Sequence, residues 1–234
     1  MIKCVMFDLD QTLVRLSIDW KHALETIKKK YSEYGISDGL LSRHKHSVFS
    51  MMIEIYDKML KFFPKDRAEE IQRSVSKTLE EYEINGVTEA ELVPNCKEVL
   101  MNLKNNGLKV GVVSGTSDAA VNQALEKFDL RKYVDAVFTR DSPGRMKPSS
   151  DHVIACLRAL NCAPQDAMLI GDTERDIQAA RKAGVLAVGL LADNDQWMKK
   201  WDISSMWMRR RKKEVEKSAD ITIRDLLEIL PLLK

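Results

Sequence analysis

Two carboxylates stand two residues apart at the end of a short apolar run near the start of the chain. The apolar residues 4–7 predict a strand buried on both faces, and the pattern then changes abruptly at Asp8 and Asp10. In an extended strand, side chains two residues apart point to the same side, so both carboxylates can face one site. Two anions this close repel unless a cation lies between them, and a hard divalent cation prefers oxygen ligands. A metal site and a solvated turn at a strand end are both open at this point.

Three further sets of polar residues stand at or near the ends of predicted strands. Ser114 and Gly115 follow an apolar strand and precede a helix, where free N–H groups suit a phosphate oxyanion, although Ser is also a common N-cap. Asp172 follows another apolar strand, and Asp176 lies one turn into the next helix. Lys147 lies in a polar loop and, taken alone, is typical of a surface residue.

The elements that must position these residues alternate between strand and helix from Pro94 onward. The predicted strands are 109–113, 136–139, 167–170, 185–190 and 220–223, and the predicted helices are 96–105, 118–128, 150–160 and 174–183. Such alternation predicts a parallel sheet with helices on both faces. Ligands of these sheets bind at the carboxyl ends of the strands, which is where the candidate residues stand.

Residues 15–92 carry apolar groups at three- and four-residue intervals, without another strong strand pattern. The predicted helices are 19–34, 38–62 and 65–83, with a turn signal at 85–86. The first strand can join the later sheet only if this helical block is an insertion. The sequence therefore predicts an α/β fold: a Rossmann-like three-layer core of residues 1–14 and 93–234, and a helical cap domain of residues 15–92.

Composition indicates an ordinary soluble globular protein. The chain has 234 residues, 44% of them hydrophobic, and a net charge of +2, so nothing global points to nucleic acid or a membrane surface. No apolar run reaches the roughly 18 residues of a membrane span. A cytoplasmic monomer or homodimer is expected. The cysteines lack CxxC spacing and are expected to be reduced: Cys4, Cys96, Cys156 and Cys162.

Residues 193–218 form a connection between the last two strands that is far longer than the roughly 2 to 6 residues usual for such a connection. Trp197, Trp201 and Met208 share one face if this segment is helical, and the basic run 209–213 follows. The pattern fits a helix on the edge of the core with a solvated basic tail. It also fits a dimer contact, an anionic surface or single-stranded nucleic acid.

Taken together and in order, the candidate residues resemble the four motifs of the haloacid dehalogenase-like hydrolase superfamily. The motifs are Asp8-Leu9-Asp10-Gln11-Thr12, Ser114 after a hydrophobic strand, Lys147-Pro148, and Gly171-Asp172 with Asp176. The resemblance covers essentially the whole core, and the helical insertion is similar to the cap of the phosphoglycolate phosphatase-like branch. The chain departs from the common pattern at two positions: Gln11, where the family often has Gly, and Met146, where it often has a small residue.

The resemblance implies a magnesium-dependent phosphatase that hydrolyses a small phosphomonoester, phosphoglycolate-like or a sugar phosphate, through an aspartyl-phosphate. Asp8 would be the nucleophile, and Asp10 would protonate the leaving group and then activate water. Mg²⁺ would be held by the carboxylate of Asp8, the main-chain carbonyl of Asp10 and Asp172.

The remaining motif residues would serve the phosphate. The resemblance assigns Ser114, Gly115 and Lys147 to the phosphate oxygens, and Thr12 and Asp176 to supporting roles. A phosphotransferase or mutase, a phosphonatase with a cap lysine, and a binding protein that uses the basic Trp-rich insertion stay as alternatives. Asp10 argues against carbon–halogen cleavage.

Overall fold

A computed structural model of the chain describes residues 1–192 and 205–233, and it divides them into two compact units. The first unit is formed by Met1–Leu16 together with the chain from Glu89 onward, and the second by Ser17–Thr88. In the described residues, no helix is long and apolar enough to cross a membrane. All four cysteines are free thiols.

The first unit is built on a six-stranded parallel sheet. Its strands are β1 Cys4–Phe7, β4 Lys109–Val113, β5 Ala136–Phe138, β6 Ala167–Gly171, β7 Leu186–Leu190 and β8 Ile221–Ile223. The surrounding helices are α5 Cys96–Asn105, α6 Asp118–Lys127, α7 Asp151–Ala159, α8 Glu174–Ala183 and α9 Ser205–Ser218. The strand order is β5-β4-β1-β6-β7-β8, with every pairing parallel. The predicted α/β class is confirmed.

The central strand brings the candidate residues to one edge of the sheet. β1 lies between β4 and β6, and its side chains have no exposed surface. Phe7 is the partner of Val112 on one side and of Ile170 on the other. In a parallel sheet this register aligns the carboxyl ends of the three strands. The residues that follow them, Asp8 and Ser114 as well as the turn after β6, therefore meet at that edge.

A short antiparallel ladder of the first unit was not visible in the sequence. β2 (Val14–Arg15) pairs with β3 (Glu91–Leu92), and the main-chain N–H of Val93 donates to the carbonyl of Leu13. This pairing draws residues 15–16 and 89–92 into the first unit, whereas the sequence analysis placed them in the helical insertion.

The second unit consists of helices alone. They are α1 Trp20–Glu33, α2 Asp38–Leu41, α3 Val48–Phe62 and α4 Lys65–Thr88, and α1, α3 and α4 pack against one another. Buried apolar side chains such as Ile27, Met51 and Leu79 fill the interior. Tyr31 is also fully buried, and its hydroxyl donates to Gln72 at 2.9 Å, which satisfies the polar end of an otherwise apolar side chain.

The single helix predicted at 38–62 is wrong, because residues 42–47 separate α2 from α3. Ser47 is extended and its hydroxyl accepts the N–H of Ser50, so it caps the start of a new helix. Residues 43–46 therefore belong to a turn and not to a helix face. Nε2 of His44, within this turn, lies 3.2 Å from Oε2 of Glu54.

The turn predicted at Gly86 is also wrong, since α4 continues to Thr88. A β-carbon at position 86 would lie 2.5 Å from Cγ1 of Ile18, and the carbonyl of Gly86 accepts the N–H of Ser17 at 2.9 Å. The glycine therefore permits close packing of a neighbouring backbone inside the helix, and it does not end the helix.

We expect the Gly111→Ala substitution to destabilise the sheet by about 1–3 kcal/mol, because β4 is closely packed there. A β-carbon at this position would lie 2.4 Å from Sγ of Cys156. The free energy of unfolding in urea measures the loss. The double variant G111A/C156A should lose less than the sum of the single variants, since removing the thiol makes room. Gly39→Ala is the control, because nothing lies within 4 Å of its β-carbon position. Additive losses in the double variant would contradict this account of the packing.

Candidate active site

The loop after β1 is held in a tight conformation by its own backbone. The carbonyl of Leu9 accepts the N–H groups of Thr12, Leu13 and Val14, and the N–H of Gln11 donates to the carbonyl of Val14 at 2.8 Å. Gln11 has φ of 66°, in the left-handed region that glycine adopts most easily. This conformation gives a physical reason for the glycine that the family often has here, and it fixes the direction in which the two carboxylates leave the strand.

Lys147 joins three parts of the first unit. Its Nζ donates to Oδ1 of Asp8 at 2.7 Å and to the carbonyl of Val113 at 2.7 Å, and it lies 2.5 Å from Oδ1 of Asp176. The lysine, both carboxylates and Ser114 are buried. The side chain thus ties the end of β1 to the end of β4 and to the start of α8. No local feature of the sequence indicates these contacts, because a lysine in a polar loop is typical of the surface.

The other two carboxylates follow β6, Asp172 in the loop and Asp176 in the first turn of α8. Thr173 caps α8, and its N–H and hydroxyl both donate to Oδ2 of Asp176. The side chain of Asp176 is buried. A β-carbon on Gly171 would lie 2.3 Å from Cγ of Asp176, so only glycine leaves room for this carboxylate. Asp172, between them, is also buried.

Asp8, Asp172 and Asp176 form a buried acidic cluster that suits a divalent cation. One carboxylate oxygen from each lies within 4.8 Å of the others. Within the described part of the chain, Oδ1 of Asp172 is buried and has no hydrogen-bond partner. Burying an unpaired carboxylate oxygen is costly, so such an atom is expected to have a ligand. The donor set of oxygen atoms matches the preference of Mg²⁺. The carboxylate of Asp10 is not in this cluster, and the metal role predicted for its main-chain carbonyl stays a prediction.

Ser114 and Gly115, two of the residues predicted to bind phosphate, lie directly after the end of β4. The N–H of Ser114 donates to the carbonyl of Phe138, and its hydroxyl accepts the N–H of Thr116 at 3.1 Å. The carbonyl of Gly115 accepts Nη1 of Arg140 at 3.1 Å. Arg140, which the sequence analysis did not single out, thus stabilises this loop.

Thr12 was predicted to support the site, and the structure places it within the loop after β1. Its side chain is fully buried, and its N–H bonds to Leu9 at 3.1 Å. No partner of its Oγ1 is found among the described residues.

Burial and charge oppose each other at the pair of Asp8 and Lys147. Burial raises the pKa of Asp8, and although the ammonium of Lys147 lowers it in part, the nearby carboxylate of Asp176 raises it further. Burial lowers the pKa of Lys147, but the carboxylates of Asp176 and Asp8 outweigh it, so this pKa lies above its ordinary value. Lys147 therefore stays a cation at neutral pH.

Asp10 occupies a different environment from Asp8. Its Oδ1 accepts the N–H of Leu16 at 3.0 Å and Nε2 of Gln11 at 3.1 Å. Burial raises the pKa of Asp10 from 3.8 to about 7, against the opposing effect of the bond from Leu16. A carboxyl group with this pKa can both donate and accept a proton near neutral pH.

One site residue comes from the segment that the sequence analysis could not assign. Arg211, in α9, reaches Asp172: Nη2 pairs with Oδ2, and Nε donates to the main-chain carbonyl at 3.2 Å. The sequence indicates Arg211 only as one of five consecutive basic residues, 209–213, and nothing in that run distinguishes it from its neighbours. The helical face predicted from Trp197, Trp201 and Met208 rests on side chains outside the described part of the structure.

The profile of the family described as haloacid dehalogenase-like hydrolase matches residues 5–190 of this chain. This range contains the buried acidic cluster, Asp10, Ser114 and Lys147. The chain therefore belongs to the haloacid dehalogenase-like hydrolase family, as the resemblance of its motifs predicted.

Named relatives match over most of the chain. A protein of Caldanaerobacter subterraneus subsp. tengcongensis with the provisional name pyrophosphatase PpaX is 27% identical over 234 residues, which are 100% of this chain and 95% of the relative. The phosphoglycolate phosphatase of Aquifex aeolicus is 28% identical over 183 residues, 78% of this chain and 82% of that protein. A HAD-superfamily hydrolase of subfamily IA, variant 1, from Geobacter sulfurreducens has the same fold, with a TM-score of 0.58 and 19% identity over 100% of both chains.

We predict that burial of Asp10 makes the metal-free protein less stable as the pH rises. The pKa of Asp10 rises from 3.8 to about 7 on folding, because the folded protein favours the neutral carboxyl. The stability that this contributes is fully present below about pH 4 and is lost as the pH rises through about 7. The Asp10→Asn variant lacks this dependence. Between pH 4 and pH 8, in chelator, the unfolding free energy of the wild type should fall relative to that of Asp10→Asn, by at most about 4 kcal/mol. A constant difference between the two proteins across this range would contradict the raised pKa of Asp10.

Proposed function

We propose that this protein is a magnesium-dependent phosphatase that hydrolyses a small phosphomonoester through an aspartyl-phosphate on Asp8. The observation that carries the proposal is the contact of the buried Asp8 carboxylate with Lys147, beside two further buried carboxylates. A carboxylate nucleophile needs nearby positive charge to approach an anionic phosphate. The names of the relatives, a phosphoglycolate phosphatase and a provisional pyrophosphatase, support a small phosphorylated substrate.

Asp8 attacks phosphorus in the first step, and the bond from phosphorus to the leaving-group oxygen breaks. Lys147 binds the transferring phosphoryl group, together with the hydroxyl of Ser114 and the N–H groups of the loop at Gly115. The contacts of Lys147 with Asp8 and with the carbonyl before Ser114 support this role, because they hold its charge between the nucleophile and the end of β4.

Asp10 gives a proton to the leaving-group oxygen in the first step and takes a proton from the attacking water in the second. Hydrolysis then releases phosphate and regenerates the carboxylate of Asp8. The pKa of Asp10, raised by burial to about 7, supports this double role, since the group exchanges a proton without a large free-energy cost. Asp8 and Asp10 therefore differ in role because their surroundings differ.

Asp8 and Asp172 are the residues we expect to hold Mg²⁺, with the main-chain carbonyl of Asp10. When bound, the ion neutralises charge on the phosphate and orients it. Asp176 supports Lys147 and the start of α8, as its contacts with Lys147 and Thr173 indicate. We further propose that the helical unit Ser17–Thr88 acts as a cap that selects the substrate.

Replacement of Asp8 by Asn should abolish phosphate release, at least about a thousandfold in kcat, because the amide is not a nucleophile. The measurement is phosphate release from a panel of small phosphomonoesters and inorganic pyrophosphate, with Mg²⁺ or with chelator. Asp129→Asn is the matched control: Asp129 lies in an exposed loop with φ of 56°, a conformation that Asn also adopts.

The wild type and the Asp129→Asn variant should both release phosphate with Mg²⁺, and both should lose this activity in chelator. Appreciable turnover by Asp8→Asn would exclude Asp8 as the nucleophile. If the wild type releases no phosphate from any compound while its fold is intact, the phosphatase assignment is wrong.

A further inference from the structure

Helix α9 is fixed to the sheet by its apolar face. Val215 is fully buried in the core of the first unit, and its Cγ1 lies 2.5 Å from the position that a β-carbon on Gly189 would take. The glycine in β7 thus lets α9 pack directly on the strand. After α9, the carboxylate of Asp220 accepts the N–H of Ala187 and pairs with Arg181 of α8. Val215 thus packs the helix on the edge of the core, whereas the basic residues Arg209, Arg210 and Lys213 are exposed, as the interpretation of a core-edge helix with a solvated basic run predicts.

Arg211 lies one turn before Val215, so the same face of α9 carries both side chains. Packing of Val215 on β7 therefore directs Arg211 toward the carboxyl end of the neighbouring strand β6. There its guanidinium makes two contacts with one residue, to the side-chain Oδ2 and the main-chain carbonyl of Asp172. The side chain of Arg211 is 17% exposed, whereas that of Arg210, which pairs with Glu214, is 80% exposed.

We propose that Arg211 is a positioning residue for the metal: it orients the carboxylate of Asp172 so that Oδ1 faces the divalent cation. The two oxygens of this carboxylate have different surroundings. Oδ2 is taken by Arg211, while Oδ1 is buried with no partner in the described part of the chain. This inference rests on the role of Asp172 in the proposed function.

The two-point contact gives a physical reason for this role. A carboxylate held by one bond can rotate about its Cβ–Cγ bond, whereas the planar fork of a guanidinium that also binds the main chain fixes the whole residue. Partners that orient a metal ligand contribute strongly to affinity, and their loss typically weakens metal binding about 10- to 100-fold. Lysine keeps the charge but cannot make both contacts in one plane.

A competing role for Arg211 predicts the opposite change in the affinity of the protein for the metal when the arginine is removed. If the guanidinium instead occupies the place of a cation, the metal must displace it, and removing the guanidinium would strengthen metal binding. The affinity of the protein for the ion, measured without turnover, therefore separates the two roles.

The test compares wild type, Arg211→Gln, Arg211→Lys and the exposed control Arg210→Gln. The readout is the dissociation constant of Mn²⁺, followed through the free-ion signal in electron paramagnetic resonance, with Mg²⁺ measured by competition. We expect Arg211→Gln to bind Mn²⁺ about tenfold more weakly or worse, Arg211→Lys to fall in between, and Arg210→Gln to equal the wild type. The thermal midpoint of each metal-free variant reports whether the fold is kept.

Equal or tighter binding by Arg211→Gln would overturn the proposal, and so would equal weakening in Arg210→Gln. If Arg211→Gln loses its fold, Arg211→Lys decides, because unchanged affinity in that variant excludes the two-point contact. Failure of the proposed function is distinguishable: the wild type would then release no phosphate, whatever its affinity for Mn²⁺. A wild type that releases phosphate but does not bind either ion contradicts the metal site together with the role of Arg211.

Discussion

The structure of this site depends on one buried ammonium group. Lys147 contacts the carboxylates of Asp8 and Asp176 and the carbonyl of Val113, and all of these groups lie away from water. Buried like charges repel strongly, so the carboxylates can be packed together only because a cation lies among them. The lysine belongs to a loop far along the chain from β1. The charges of the site are therefore balanced only where the tertiary structure places this loop against the ends of β1 and β4.

The parallel sheet supplies the geometry that this charge balance needs. β1 is central and fully buried, and its register with β4 and β6 brings three strand ends to the same level. Local backbone features then direct the side chains: the left-handed conformation of Gln11 after β1, and the Thr173 cap after β6. Gly171 leaves space for the carboxylate of Asp176. A rigid sheet edge with adaptable loops is the usual arrangement for sites of this fold class.

The long connection before β8 contributes to the same edge. Val215 holds α9 on β7, and this anchoring gives one arginine of a basic run a different environment from its neighbours. Arg211 is only 17% exposed and contacts Asp172, while Arg210 is 80% exposed. A dimer contact or a nucleic-acid surface, which the basic run alone also fits, is not needed to explain Arg211.

The sequence by itself determined the fold class, the family and the order of the motif residues, because these depend on local periodicity and on residue types at strand ends. It could not determine the break between α2 and α3, the continuation of α4 through Gly86, or the β2–β3 ladder, since each depends on a contact with a distant segment. It indicated Lys147 only through the resemblance of its motif, not through the local pattern, and it could not distinguish Arg211 from the other basic residues around it. Only tertiary structure decided these, because a charged side chain becomes part of a site through the carboxylates that folding places beside it.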